Sequence, residues 1–394
     1  MQEESPAQPR DSVDSSMHGA RVGPMAESTT SAGSARTDTY ESWKAQFPCI
    51  LGNFQTFADE SHGKRVVIFL DYDGTLTPIV NDPDKALLSD GMRETIQQLA
   101  KLFPTAIVSG RARAKVEAFV RLDELMYAGS HGLDIATPLG VDEHDLHHVS
   151  DHYQYQPAQD ICPLMDELHD KLVAALQGIP GASVEHNKYC LSVHWRNCAD
   201  RHGEVRAIVD AHVDPEHPRA KVTRGRKVFE IRPRIDWDKG RALSHLLALM
   251  QLTSAPDVLP IYIGDDRTDE DAFRVLHEAG AGFGVLVSSI AKPTTAKYTL
   301  RDPAEVQSFL QRLVAHGRCP RRNAWLSGNG LTLAAKAARG HEPGHLQIWR
   351  PHPDAPGAGG GECCGDAEAQ WPRDAPAEDA AAPLSPLVAA DGGR

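Results

Sequence analysis

The chain has 394 residues, 41% of them apolar, and a formal charge of −13 from 41 basic against 54 acidic residues. That acidic balance argues against a nucleic-acid partner, which needs a basic surface to displace counterions. No apolar run approaches the ~20 residues of a membrane span, and the seven cysteines are odd in number, scattered and without a C-x-x-C pair, which disfavours zinc and a disulfide framework.

Residues 1–39 are polar, small and aperiodic, a composition that predicts disorder. Glu3 and Glu4 and the lack of an apolar stretch exclude a secretory signal. The cysteine usage fits a reducing, cytoplasmic setting; the Ser and Thr content leaves a plastid address as the alternative. Tyr40, Trp43 and Phe47 follow at helical spacing and open the ordered part. Residues 66–70 form an apolar run that reads as a buried parallel strand. A helix with Met92, Ile96, Leu99 and Phe103 on one face comes next, then a short strand at 105–108.

Residues 138–235 read differently. A helix carries Ile161, Leu164, Met165, Leu168, Leu172 and Leu176 on one face. In the strand after it, Tyr189, Leu191, Val193 and Trp195 face one way, and Cys190, Ser192, His194 and Arg196 the other. A further strand at 227–232 sets Glu230 and Arg232 on a common face, with Lys227 opposite. This pattern predicts an α+β insert with one polar-faced antiparallel sheet, able to act as a cap. Beyond it lie a helix at 242–250, strands at 259–263 and 282–287, and a closing helix with Val306, Phe309, Leu310 and Leu313 on one face. Strands alternating with helices predict an α/β fold: a doubly wound, Rossmann-like parallel-sheet core over 40–137 and 236–317, with the cap inserted at 138–235. Residues 318–394 are Pro-, Gly- and Ala-rich and predict a low-complexity tail.

The chemistry concentrates where strands end. The 66–70 run stops at Asp71-Tyr72-Asp73-Gly74-Thr75. Two carboxylates that close repel each other unless a cation or a shared proton relieves them. A carboxylate is also a competent nucleophile toward phosphorus, and a second one can protonate a leaving oxygen. Gly74 lets the chain turn tightly there. The second strand ends on Ser109-Gly110-Arg111, whose hydroxyl can donate to a phosphoryl oxygen. Lys239, in Asp236-Trp237-Asp238-Lys239-Gly240, stands at a helix start and offers a fixed cation. The third strand ends on Asp265-Asp266, hard oxygen donors of the kind Mg²⁺ takes, while Asp269, Glu270 and Asp271 also suit a helix N-terminus.

With these motifs in this order the sequence resembles the haloacid dehalogenase-like phosphotransferases and, more narrowly, the trehalose-6-phosphate phosphatases of plant and algal type. The resemblance covers about residues 40–316 and also rests on Ala128-Gly129-Ser130-His131-Gly132, Glu185-His186-Asn187-Lys188 and Gly225-Arg226-Lys227-Val228-Phe229-Glu230-Ile231-Arg232-Pro233. It implies Mg²⁺ as cofactor, trehalose 6-phosphate as substrate and an aspartyl-phosphate intermediate. Asp71 would be the nucleophile and a metal ligand. Asp73 would be acid and base, with its main-chain carbonyl on the metal, and Asp265 would complete the ligands. Ser109 and Lys239 would hold the phosphoryl oxygens. Asp266 or Asp269 would orient Lys239 or a metal-bound water. Glu185, Lys188 and Glu230 would meet the sugar, with Arg111, His131, His194, Arg196, Lys227 and Arg232 as further polar candidates. Another sugar-phosphate phosphatase on the same core, or a non-catalytic sugar-phosphate sensor, is the competing reading.

Overall fold

The computed structural model describes residues 40–137, 154–225, 227–250, 252 and 257–318. The expectations for 1–39, for 138–153 and for the tail from 319 onward fall outside the described residues.

A helix over 40–46 (α1) and α2 (Phe54–Glu60) lead into β1 (Arg65–Leu70). The core continues with α3 (Asp90–Ala100), β2 (Thr105–Val108), α4 (Arg113–Val120), β3 (Met126–Gly129), β4 (Asp134–Ala136) and β5 (Gln154–Tyr155). An inserted layer follows: α5 (Cys162–Leu176), β6 (Ser183–His186), β7 (Leu191–His194), α6 (His202–His212), β8 (Ala220–Gly225) and β9 (Val228–Pro233). The chain returns to the core through α7 (Lys239–Leu249), β10 (Val258–Gly264), α8 (Asp269–Glu278), β11 (Phe283–Val287), β12 (Tyr298–Leu300) and α9 (Pro303–Gly317).

The core is an eight-stranded sheet in the order β12-β11-β10-β1-β2-β3-β4-β5. It is parallel from β12 to β3, and β4 and β5 add antiparallel at the edge. Alternation along β1 sends Val67 and Phe69 into one buried cluster and Val66, Ile68 and Leu70 into the other, so apolar layers cover both faces. Chain direction diverges at β1: β2 lies on one side and the late strand β10 on the other. That is the switch point at which open α/β sheets leave a crevice. Helix starts are set locally. The Ser89 hydroxyl accepts from Met92 N ahead of α3, and Asp302 accepts from Glu305 N ahead of α9, where Pro303 is the first helical residue.

The insert is an antiparallel sheet in the order β6-β7-β9-β8. Leu191, Val193, Phe229 and Ile231 are buried on one face and belong to the same cluster as Met165, Leu168 and Leu172 of α5 and Val205 and Val209 of α6. Registry places Glu185, Ser192 and Glu230 across from one another on the opposite face.

Three boundaries differ from the sequence expectation. The expected cap starts at 138, yet Gln154 and Tyr155 pair with β4 in the core sheet; a strand of two residues carries no readable period. The expected strand at 189–196 is shorter, because the chain enters a 3₁₀ turn at Arg196 once the pairing of Ser183 with His194 ends. Arg196 therefore leaves the sheet face. Lys227 is not a strand residue either: it sits at φ 61° in the turn closed by the Gly225–Val228 pair.

Candidate active site

Three strand ends meet at the switch point. β1 and β10 are parallel neighbours with Leu70 opposite Ile263, and β2 flanks β1 with Ile107 opposite Leu70. The first residues past these strands are Asp71, Asp265 and Ser109. Asp71 N donates to Ile263 O at 2.9 Å, which fixes the first of them against the second strand. Lys239 arrives from the fourth side. The Asp238 carboxylate accepts from Arg241 N at 2.8 Å, so Asp238 caps α7 and Lys239 is its first residue. Such a cap contributes about 1 kcal/mol and settles where the lysine leaves the backbone.

Lys239 Nζ donates to Asp71 Oδ1 at 2.7 Å and to Asp269 Oδ1 at 2.8 Å, and all three groups are buried. Burial opposes the ammonium charge, but the Asp269 and Asp71 carboxylates hold its pKa well above the ordinary lysine value. Asp269 is saturated. Its Oδ1 also accepts from the Tyr262 hydroxyl at 3.0 Å, and its Oδ2 accepts from the main-chain N–H of Asp265 and of Asp266, each at 3.0 Å. Of the two residues expected to orient Lys239, Asp269 is the one that contacts it. Asp266 instead turns its Oδ1 to the Thr268 N–H and hydroxyl, at 2.8 and 2.7 Å.

Oxygens of Asp71, Asp265 and Asp269 lie within 4.8 Å of one another. Burial, with the neighbouring carboxylates, raises the Asp71 and Asp265 pKa values well above the ordinary range. Burial also pushes Asp269 up to about 6. The carboxylates crowd a space that one ammonium does not neutralise. A hard divalent cation fits this donor set: Asp269 has its oxygens engaged, whereas both Asp265 oxygens accept no hydrogen bond from the described residues. Gly74 shapes the other wall. It sits at φ 81°, and a Cβ there would lie 2.3 Å from Asp265 Oδ2.

Asp73 does not join that cluster with its side chain. Arg111 takes its carboxylate through Nε and Nη2, at 2.6 and 2.7 Å. The metal contact expected of Asp73 is through its main-chain carbonyl, which this fork does not involve. Arg111 Nη1 also donates to Pro83 O at 2.9 Å and to Glu185 Oε1 at 3.4 Å. Ser109 is buried, and its hydroxyl accepts from Arg111 N at 3.2 Å.

The polar face of the insert closes over these residues. Glu185 receives Lys115 Nζ at 2.5 Å and His194 Nε2 at 3.0 Å in addition to Arg111. Burial would raise its pKa, yet His194, Arg111 and Lys115 hold it down to about 2. His131 Nε2 lies 3.2 Å from Glu230 Oε1, and burial with the nearby Arg232 charge lowers the His131 pKa. Ser130, His131 and Gly132 take consecutive left-handed backbone conformations. Non-glycine residues there cost of order 1–2 kcal/mol each. Bonds from Ser130 N to Arg111 O (2.7 Å) and from His131 N to Ser109 O (2.8 Å) offset this, as does the Ser130 hydroxyl bond to Asn187 O of the insert. Lys188 points elsewhere: at φ 64° its ammonium meets Asp134 Oδ2 on β4 at 3.0 Å.

Sequence reasoning missed Lys115, Asn187, Asp134 and Tyr262. Lys115 lies four residues after Arg111, in α4, and Asn187 stands inside the quoted Glu-His-Asn-Lys motif, where its Oδ1 accepts from Ala112 N at 3.0 Å. Those two had a local signal. Asp134 and Tyr262 had none. The backbone places Arg196 in the 3₁₀ turn after β7 and Lys227 in the turn before β9, both off the sheet face.

The trehalose-phosphatase family model matches residues 69–304. The chain is 51% identical over 280 residues to a probable trehalose-phosphate phosphatase D of Arabidopsis thaliana, spanning 70% of this chain and 74% of that protein. It is 49% identical over 291 residues to a probable trehalose-phosphate phosphatase 4 of Oryza sativa subsp. japonica, spanning 72% and 76%. Among solved structures, the C-terminal domain of a C. albicans trehalose-6-phosphate phosphatase superposes with a TM-score of 0.56 at 22% identity, covering 68% of this chain and 99% of that one. That likeness carries the fold, an α/β core with its insert. The switch-point geometry, the matched span and the level of identity together establish that this chain belongs to the trehalose-phosphatase family.

Proposed function

We propose that the protein hydrolyses trehalose 6-phosphate to trehalose and inorganic phosphate, with Asp71 as the nucleophile. The observation that carries this reading is the buried Lys239 bridging Asp71 and Asp269 at the end of β1, beside Asp265 and Ser109. An Asp71 oxygen attacks phosphorus in line with the sugar oxygen. The phosphorus–sugar bond breaks, and the departing oxygen takes a proton from Asp73. Asp73 then removes a proton from a water that attacks the phosphoryl-aspartate, releasing phosphate and restoring Asp71. Lys239 and the Ser109 hydroxyl would bind the phosphoryl oxygens and spread their charge. Asp71, Asp265 and the Asp73 carbonyl would hold Mg²⁺, which when bound neutralises the nucleophile and the phosphoryl group.

The insert supplies the sugar contacts. Glu185, His194 and Glu230 of the insert are the candidates, with His131 of the core paired to Glu230, and a disaccharide of many hydroxyls requires such fixed partners. Lys188, engaged with Asp134, acts as a tie between insert and core in this closed arrangement. A phosphate-release assay over a panel of sugar phosphates tests the reading. Trehalose 6-phosphate is expected to be hydrolysed far faster than glucose 6-phosphate; equal rates would refute the substrate assignment.

A further inference from the structure

A line of contacts runs from the N-terminal helix to Asp265. Trp43 Nε1 donates to the Lys292 main-chain oxygen at 2.8 Å. Lys292 Nζ donates to the Asp265 main-chain oxygen. Thr295, on the same β11–β12 loop, donates from N and Oγ1 to Glu270 Oε2 at 2.9 and 3.0 Å. The loop is thus fastened to both ends of the acidic segment 265–270.

The helix that supports it is itself fixed. Trp43 packs against the buried core, and the residues after α1 join the edge of the sheet. Ile50 N donates to Thr299 O at 3.1 Å, Thr299 N to Pro48 O at 3.0 Å, and the Thr299 hydroxyl to Phe47 O at 2.9 Å. Trp43 lies outside the span 69–304 matched by the family model.

We propose that Lys292 is a positioning residue that fixes Asp265 for the divalent cation, and that Trp43 sets where Lys292 stands. The proposal rests on the metal-binding reading of Asp265 given above. Asp265 sits among other carboxylates that repel it. Its amide is held from within by Asp269, and Lys292 holds its carbonyl from the opposite direction. The sign of the effect separates positioning from charge. An ammonium so near the site repels an incoming cation, so charge alone makes loss of Lys292 tighten metal binding. Positioning makes the same loss weaken it, as the loss of groups that orient a ligand generally does.

The test is isothermal titration of Mg²⁺ into the full-length protein, its Lys292→Met, Trp43→Phe and Asp265→Asn variants. Lys292→Met is expected to bind about 10-fold more weakly, and Trp43→Phe, which loses the indole N–H and keeps an aromatic ring in its place, about 3-fold more weakly. In both, kcat is expected to return to the wild-type value at saturating Mg²⁺, which a general loss of structure would not permit. Wild-type or tighter binding by Lys292→Met overturns the proposal. Should that variant fail to fold, Trp43→Phe decides, and unchanged affinity there overturns it. Asp265→Asn distinguishes the two failures. Its loss of binding beside an unaffected Lys292→Met removes only the brace, whereas wild-type binding by Asp265→Asn removes the metal assignment and the brace together.

Discussion

The Arg111 guanidinium grips the Asp73 carboxylate as a fork, Nε to Oδ2 at 2.6 Å and Nη2 to Oδ1 at 2.7 Å, while its third nitrogen reaches Glu185 on the insert. Asp73 and the insert therefore share one cation. A lysine keeps the charge but cannot reproduce the fork. Arg111→Lys is expected to lower kcat about 10-fold and Arg111→Ala about 10²-fold, within the span of general-acid effects. Steady-state kinetics check this, and an unchanged kcat in Arg111→Ala contradicts it.

Lys239 and Asp269 form a buried pair, with side chains 3% and 0% exposed. Asp269→Asn leaves Lys239 its bond to Asp71, but it cannot accept on both oxygens and so strands either the Lys239 and Tyr262 donors or the Asp265 and Asp266 N–H groups. It should destabilise the fold by about 1–3 kcal/mol as well as depress turnover. Denaturant midpoints measure it.

Glu185 gives a pH signature. Its folded-state pKa is lowered to about 2, below the ordinary glutamate value. A depressed carboxyl stabilises the fold above its unfolded pKa and loses that contribution as pH falls through the folded value. The contribution is of order 2–3 kcal/mol. The stability gap between wild type and Glu185→Gln should be full at about pH 6 and closed by about pH 2. A gap that widens on acidification would reverse the sign and exclude the network around Glu185 as its source.

Gly74 bears on the metal. Gly74→Ala places a Cβ against Asp265 Oδ2 and strains a backbone at φ 81°. Mg²⁺ affinity is expected to fall, read by titration. Excess chelator is expected to abolish wild-type activity and Mg²⁺ to restore it, with Ca²⁺ inhibiting because its looser coordination misplaces nucleophile and phosphate.

Asp71, Ser109, Lys239 and Asp265 were legible in the sequence because each stands where a strand ends or a helix begins, and such junctions carry local signals. The apolar run before Asp71 and the capping Asp238 before Lys239 are of that kind. The partners of Arg111, Lys188 and Lys292 were not legible, since they come from elements 38, 54 and 27 residues away. Which charge meets which across such a gap depends on registry and loop path, and neither leaves a period in the chain. Lys227 failed for a local reason: alternation continues unbroken through it, and only the Gly225–Val228 pairing marks where the strand starts.

The central claim is phosphoryl transfer to Asp71, and acid-quenched turnover of substrate labelled with ³²P, followed by peptide mapping, tests it most directly. The label is expected on the peptide containing Asp71, and to be absent from Asp71→Asn, which should retain sugar-phosphate binding. A label on any other residue, or full turnover by Asp71→Asn, would contradict it.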